Sequence, residues 1–339
     1  MPGFPHPLGG VKQDGQGLVR RSNFHCVFVR IHTPGEFNAE DFEAVFLQSF
    51  RIPGRSPVPG FVGVISQPDP LNFLPDQGVE EFIGKTFRSV KCLNCSHVFC
   101  SPLPKNLYKN YEDVVDKKYL HYVESISESA RIILPMIKRY IPKGKILDVG
   151  CATGEFLSVA RDFGYTVEGL ELSKWSSDIT KSKKIKVHRC LLRSMVYKNE
   201  EKYDVITLFG VIEHFEKPRE EMECISKLLR PGGLVVVWTG DVSSISSKIL
   251  KHNWWYWQGQ HIQYFSSRSL NLLGKNYGLK HVTTKIFPFA GTYGLVENSL
   301  GRYRIKSFLV MFLKPLFLLK AKWIIYLPGE MLWFATKST

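Results

Sequence analysis

The stretch Ile146-Leu147-Asp148-Val149-Gly150-Cys151-Ala152-Thr153-Gly154-Glu155 decides how this chain is read. An apolar run, Lys145–Val149, gives way to small residues at 150, 152 and 154. Apolar residues then resume at Phe156, Leu157, Ala160 and Phe163 with helical spacing. Buried strand, tight turn and helix is the pattern. In an open α/β sheet such a turn lies at the carboxyl ends of the strands, where ligands bind. Small residues there let the backbone approach a ligand that side chains would hold away. Asp148, just before the turn, offers a carboxylate to an ammonium group. A dinucleotide presents a pyrophosphate instead, and its fingerprint is G-x-G-x-x-G. The spacing G-x-A-x-G behind an acid better suits a cationic ligand bearing an amino acid.

Downstream, Gly164-Tyr165 closes the helix and Thr166–Leu172 reads as a second strand ending near Glu171. A carboxylate at that position accepts both ribose hydroxyl hydrogens. Taken singly, Glu171 has a second, lesser reading as a solvated acid at a helix start. Lys184–Cys190 fits a third strand and Tyr203–Phe209 a fourth. A helix follows with Met222, Ile225, Leu228 and Leu229 inward, and Pro231-Gly232-Gly233 turns the chain into a fifth strand, Leu234–Thr239. Strands alternating with helices imply βαβ units, a parallel sheet and right-handed crossovers.

The ordered series LDVGCATG (147–154), GLELS (169–173), YDVITL (203–208), IEHF (212–215) and LLRPGG (228–233) resembles class I S-adenosylmethionine-dependent methyltransferases. It looks most like the bacterial branch that includes ubiquinone-type O-methyltransferases. The likeness runs from about Val90 to Gly278, with Gly329–Lys337 as the closing strand. It implies an α/β fold, a Rossmann-like seven-strand class I methyltransferase sheet with helices on both faces, plus a small N-terminal module. The implied organisation is a weakly structured extension over 1–70, a degenerate ribbon-like module over 71–124 and the methyltransferase domain over 125–339. A short helix is expected around Ala39–Ser49, and another over Tyr119–Tyr140.

The implied cofactor is S-adenosyl-L-methionine. Asp148, Gly150, Ala152 and Gly154 would surround its methionine part, although Ala152 departs from the usual glycine. Glu171 would hold the ribose, Cys190 and Leu191 would border the adenine, and Phe209 and Gly210 would line the sulfonium side. Methyl transfer asks mainly for alignment, since the sulfonium is already electrophilic. A hydroxyl acceptor benefits from a general base. His214 is the first candidate, or else a helix-start histidine that orders its loop. In ubiquinone-type relatives an acid-x-x-Glu-His cluster holds a divalent metal; here Gly210 replaces the first acid, and no metal is expected. Asn253-Trp-Trp-Tyr-Trp257 and His261-Ile-Gln-Tyr-Phe-Ser266 resemble a segment of the same branch. Its rings form either an acceptor pocket, with His261 as second base candidate, or a core lid.

Cys92, Cys95, His97 and Cys100 resemble the second half of a small zinc ribbon. No upstream C-x-x-C exists, so a ribbon without metal is expected. The remaining composition is that of an ordinary globular chain: 339 residues, 44% hydrophobic and 22% charged, with a formal charge of +14. Seven irregularly spaced cysteines and no signal-like opening point to a reducing cytoplasm. No apolar run is long enough to span a bilayer, since Ser307–Leu319 is cut by Lys314 and Pro315. Residues 302–322 combine Arg302, Arg304, Lys306, Lys314, Lys320 and Lys322 with an apolar segment. They fit a peripheral membrane or lipid-linked contact, or a helical insert packed on the aromatic segment. No basic stripe interleaved with aromatics marks a nucleic-acid surface, so the expected partner is a small-molecule acceptor and no nucleic acid. The expected reaction is methyl transfer to an oxygen of a sugar, lipid-linked or natural-product intermediate. The alternatives are a catalytically silent cofactor-binding subunit and an NAD-binding oxidoreductase.

Overall fold

A computed structural model of the chain describes residues 63–64, 89–101, 103, 111–199, 202–291 and 323–339. The expected helix over 39–49 and the basic stretch 302–322 lie outside them. The first elements are β1 (Gly63–Val64), β2 (Ser89–Lys91), β3 (Val98–Cys100) and α1 (Val123–Lys138). The alternating series follows: β4 (Lys145–Val149), α2 (Glu155–Asp162), β5 (Thr166–Leu170), α3 (Lys174–Ser182), β6 (Lys186–His188), α4 (Leu192–Asn199), β7 (Tyr203–Phe209), α5 (Pro218–Leu228) and β8 (Leu229–Gly240). The chain continues through α6 (Ile245–Leu250), β9 (Gln263–Tyr264), α7 (Ser267–Lys275), β10 (Leu279–Gly291) and β11 (Trp323–Lys337).

Seven strands form one sheet in the order β6-β5-β4-β7-β8-β11-β10. The first five are parallel, and β11 runs antiparallel to both β8 and β10. Order and direction are those of the class I methyltransferase sheet. Side chains alternate across it with period two, as a sheet covered on both faces requires. Ile146, Val205, Leu234 and Val236 pack with Ile133, Leu134 and Ile137 of α1 and Leu157 of α2. Their neighbours Leu147, Ile206, Val235 and Val237 pack on the other face with Met195 of α4, Met222 and Ile225 of α5 and Leu270 of α7.

Several boundaries differ from the sequence reading. The expected helix over 119–140 is a 3₁₀ turn, Lys117–Tyr122, followed by α1. Lys184 has φ +60, so the third strand starts only at Lys186. Leu229 closes no helix but pairs with Tyr203, and the next partners are Val205 and Leu234. Arg230–Gly233 therefore loops out of the ladder, with Gly232 at φ +74. The long β10, rich in Lys and Thr, was not anticipated, and the final strand begins at Trp323 rather than Gly329.

A second, small sheet has the order β1-β2-β3-β9. The hairpin β2–β3 carries the cysteine cluster and shares a core with the aromatic segment: Val98 and Cys100 pack on Trp254, Tyr256, Trp257 and Tyr264. His97 stacks on Phe99 and Phe265 and donates to Gln263 at 2.8 Å. Among the described residues, Cys92, Cys95, His97 and Cys100 do not converge as metal ligands. No helix of the described residues is long and apolar enough to cross a membrane.

Candidate functional site

The turn after β4 is built as its small residues suggest. Gly150, Ala152 and Gly154 all have positive φ, at 70°, 47° and 82°. A Cβ on Gly150 would sit 2.5 Å from Val211, and one on Gly154 2.6 Å from Thr180. Both positions thus need glycine for conformation and for space. Ala152 holds the same conformation with a side chain, at a cost in strain. Lys183 ties the loop down from α3 by donating to the Thr153 carbonyl at 2.7 Å and to Glu155.

Two carboxylates face this turn. Asp148 is buried and accepts from Thr207, its cross-strand partner on β7, at 2.6 Å. Burial, aided by the charge of Glu171 and opposed by Thr207, pushes the Asp148 carboxyl up to about 7. Glu171, just past β5, accepts backbone N–H bonds from Ala152 at 2.9 Å and Ser173 at 2.8 Å. Burial outweighs these bonds and raises its pKa as well. Among the described residues neither acid is matched by a lysine or arginine, so both suit a ligand that brings its own positive charge and hydroxyl donors. Cys190 and Leu191 follow β6, one strand further out, where Glu171 N–H donates to the His188 carbonyl at 3.1 Å. Phe209 packs edge-to-face on Phe156 with ring centres 4.7 Å apart.

The turn Lys117–Tyr122 and the residues before it lie over this edge as a strap. Tyr119 is half-buried. Burial and the proximity of Glu155, Asp148, Cys151 and Glu171 push that phenol well above its ordinary pKa. Ser173 Oγ donates to the Val114 carbonyl at 2.8 Å and Asp116 caps the turn by accepting from Tyr119 N–H at 3.1 Å.

Beyond Gly210 lies a second cluster. His214 Nδ1 is 2.9 Å from the Gln260 carbonyl and 3.0 Å from the Tyr111 hydroxyl. A carbonyl only accepts, so Nδ1 carries the hydrogen and Nε2 is left with its lone pair. His261 is arranged alike: Nδ1–H donates to the Tyr256 carbonyl at 2.8 Å. The two rings lie 4.9 Å apart at 69°. Burial, then the neighbouring His214, hold His261 well below its ordinary pKa and keep it neutral. Behind them Glu213 accepts from the Tyr256 hydroxyl and, at 3.0 Å, from Thr239. Glu330 accepts from the indoles of Trp238 at 2.7 Å and Trp255 at 2.8 Å, and burial, with Glu213 adding, pushes it up to about 7.

Donor atoms of Glu213, His214 and His261 lie within 4.8 Å of one another. That is close enough for the three to share a metal ion, and both Glu213 oxygens also accept hydrogen bonds, from Tyr256 and Thr239. Asp148, Gly150, Ala152, Gly154 and Glu171 are thus brought together. His214 and His261 meet at the neighbouring mouth, and Cys190 and Leu191 stand at the rim. Thr207, Tyr111, Tyr119, Trp238 and Glu330 were not anticipated. Thr207 had a signal in its place on the strand beside Asp148; the others join through tertiary contacts alone.

A family described as a methyltransferase domain matches residues 119–284. An uncharacterized protein of Methanocaldococcus jannaschii, MJ1123, is 29% identical over 144 residues, 42% of this chain and 66% of that protein. The ubiquinone biosynthesis O-methyltransferase of Vibrio atlanticus is 29% identical over 97 residues, 27% of this chain and 41% of the enzyme. The chain thus spans less than two thirds of the length of these relatives. Among solved structures, a SAM-dependent methyltransferase of Archaeoglobus fulgidus superposes with a TM-score of 0.46 at 18% identity, covering 66% of this chain and all of that one.

Proposed function

We propose that this chain, whose residues 119–284 match a methyltransferase domain family, is a class I S-adenosylmethionine-dependent enzyme that methylates an oxygen of a small-molecule acceptor, with His214 as general base. The single observation that carries this reading is the pair of imidazoles beside Gly210, each with Nδ1–H tied to a backbone carbonyl and, among the described residues, no hydrogen bond to Nε2. A bare Nε2 takes a proton from a hydroxyl; an amine acceptor that is neutral at working pH needs less help.

The residues present fit the cofactor. Asp148 and Glu171 are buried carboxylates that a cation and two ribose hydroxyls would satisfy, and the positive-φ turn leaves backbone, not side chain, facing the ligand. When bound, S-adenosylmethionine supplies the electrophilic methyl group. Asp148 would hold the ammonium and Glu171 the ribose. Gly210, at φ +68, keeps side-chain bulk off the sulfonium side. Trp238, Tyr256 and Trp255 wall the mouth and exclude water. His214, the more accessible of the two imidazoles, receives the acceptor proton at Nε2, and neutral His261 beside it stabilises the resulting imidazolium by accepting a hydrogen bond.

The acceptor reading extends to an amphipathic or lipid-linked molecule at the surface of a cytoplasmic protein. Ile245 and Ile249 of α6 are 73% and 72% exposed, and Ile324 and Tyr326 at the start of β11 are also open to solvent. Ile324 and Tyr326 directly follow the basic stretch 302–322 in the sequence. The test is incubation with deuteromethyl S-adenosylmethionine and matched sets of phenolic, sugar-hydroxyl and amine acceptors, read by mass spectrometry. Label on oxygen is expected. Label only on amines would overturn the reading.

A further inference from the structure

The short helix α6 shows its apolar side to water. Its buried residue is Ser247, whose hydroxyl donates to the Val242 carbonyl at 2.8 Å. Ile245 and Ile249, one turn apart and so on one face, are instead 73% and 72% exposed. Apolar residues exposed singly are ordinary on a protein surface; two bulky ones aligned on one helix face call for a reason. Lys248 and Lys251 are exposed on the same stretch. α6 packs against β11. There Glu330 pairs with Gly240, the last residue of β8, whereas residues 323–327 pair with β10 and have no ladder partner on β8. β10 and β11 therefore continue past the carboxyl edge as a two-stranded ribbon, on which Ile324 and Tyr326 are 53% and 57% exposed. The ribbon stands beside the mouth of the site, since Glu330 at its base holds the Trp238 and Trp255 indoles.

Charge identifies what these side chains face. Gly291 and Trp323 are paired at the end of the ribbon, so the chain between them leaves and returns there. From Asn298 to Lys322 that chain carries six lysines and arginines and no acid. Exposed apolar groups beside dense positive charge match a bilayer with anionic headgroups: the apolar groups enter the acyl boundary while the cations stay at the phosphates. A second copy of the chain fits less well, because a two-fold contact would set the same basic stretch against itself. We propose that α6 and the β10–β11 ribbon form a docking face for an anionic lipid surface, holding the mouth of the site toward the bilayer. Ile324 and Tyr326 lie outside residues 119–284, so the family match does not cover this part of the face. Docking itself is independent of the methyltransferase reading; its use, access to an acceptor carried in the membrane, rests on that reading.

The test is co-sedimentation of the full chain with vesicles of phosphatidylcholine alone and of phosphatidylcholine with about a third phosphatidylglycerol. Two double variants are compared with the unmodified protein, Ile245→Ser with Ile249→Ser and Ile324→Ser with Tyr326→Ser. The unmodified protein should bind the anionic vesicles at least about tenfold more tightly than the neutral ones, and raising salt from about 0.1 to 0.5 M should weaken binding several-fold. Each double variant should lose about tenfold or more. Because the altered side chains lie in water, both variants should keep the Tm and the S-adenosylhomocysteine affinity of the unmodified protein, which separates lost docking from lost folding. Absence of vesicle binding, equal binding to both vesicle types, or binding that ignores both double variants would overturn the docking face. So would a dimer in solution that the isoleucine variant dissociates, since it would assign the face to a second copy. Vesicle binding by a protein that takes no S-adenosylhomocysteine would uphold the docking face and overturn the methyltransferase reading.

Discussion

The two edges of the parallel sheet treat acids in opposite ways. At the amino-terminal edge, Glu168 reaches Lys145 at 2.6 Å, the Tyr203 hydroxyl at 2.7 Å, His188 at 3.1 Å and Lys186 at 3.2 Å. Burial works against its charge, but these partners outweigh it and hold the carboxyl well below the usual range. Asp204, close by, accepts the Lys145 N–H and is paired with Arg230. At the carboxyl-terminal edge, Asp148 and Glu171 have, among the described residues, only a hydroxyl and backbone N–H groups as partners, and both are raised. Glu171 lies only three positions after Glu168, yet one is a finished structural contact and the other is held ready. An acid at equilibrium with internal cations contributes to the fold; a buried acid without them is waiting for a ligand's charge.

The sharpest way to break this contrast is at the chemistry of the ligand edge. His214→Gln should reduce kcat by about a hundredfold or more while leaving the KM for the methyl donor within about threefold. A kcat within a few-fold of the unmodified enzyme would return His214 to a loop-ordering role. The reverse experiment is Glu168→Gln, which should cost roughly 3 kcal/mol of unfolding free energy, measured in urea at pH 7, with S-adenosylhomocysteine affinity unchanged. Because the folded-state pKa of Glu168 is depressed, its contribution is present above its ordinary value of 4.5 and is lost as pH falls through the folded value. The gap between the two proteins should therefore narrow on acidification.

Protons sharpen the comparison further. Asp148, pushed up to about 7, is largely protonated at pH 6 and ionised at pH 8. A cationic ammonium binds the ionised form, so S-adenosylhomocysteine affinity should rise about tenfold from pH 6 to pH 8 with proton release, seen as a buffer-dependent heat. A raised carboxyl favours the fold below its unfolded pKa, and that contribution is lost as pH rises through the folded value. The ligand-free Tm should accordingly fall from pH 5 to pH 8 more than the ligand-saturated Tm. A flat affinity profile would remove Asp148 from the binding site. The smallest effect is expected at Ala152. Ala152→Gly relieves the positive φ and should raise stability by about 0.5 kcal/mol, checked by Tm, with affinity within twofold.

What the sequence makes legible follows from how local each feature is. The turn at 150–154, Asp148 before it and Glu171 at the next strand end are fixed by spacing within one βαβ unit, so they could be placed without coordinates. The parallel core strands read clearly because they are apolar on both faces. β10 did not, because an edge strand bearing Lys280, His281, Thr283, Thr284 and Lys285 shows mixed polarity. Residues 230–233 read as a turn, and the structure keeps that excursion inside a continuous strand. Tyr111 and Glu330 lie far in sequence from the groups they meet, His214 and Trp238, and no local pattern marks them. Their roles arise from packing, which one sequence does not encode in a readable period.

The central claim is that the carboxyl edge is a built site for an adenosyl amino acid. It is tested most directly by calorimetric titration with S-adenosylmethionine, S-adenosylhomocysteine and NAD in parallel, repeated on Asp148→Ala and Glu171→Ala. Micromolar binding of the two adenosyl ligands is predicted, with about a hundredfold loss or more in each variant and none for NAD. Folded protein that binds neither adenosyl ligand, or that binds NAD in their place, would contradict the account.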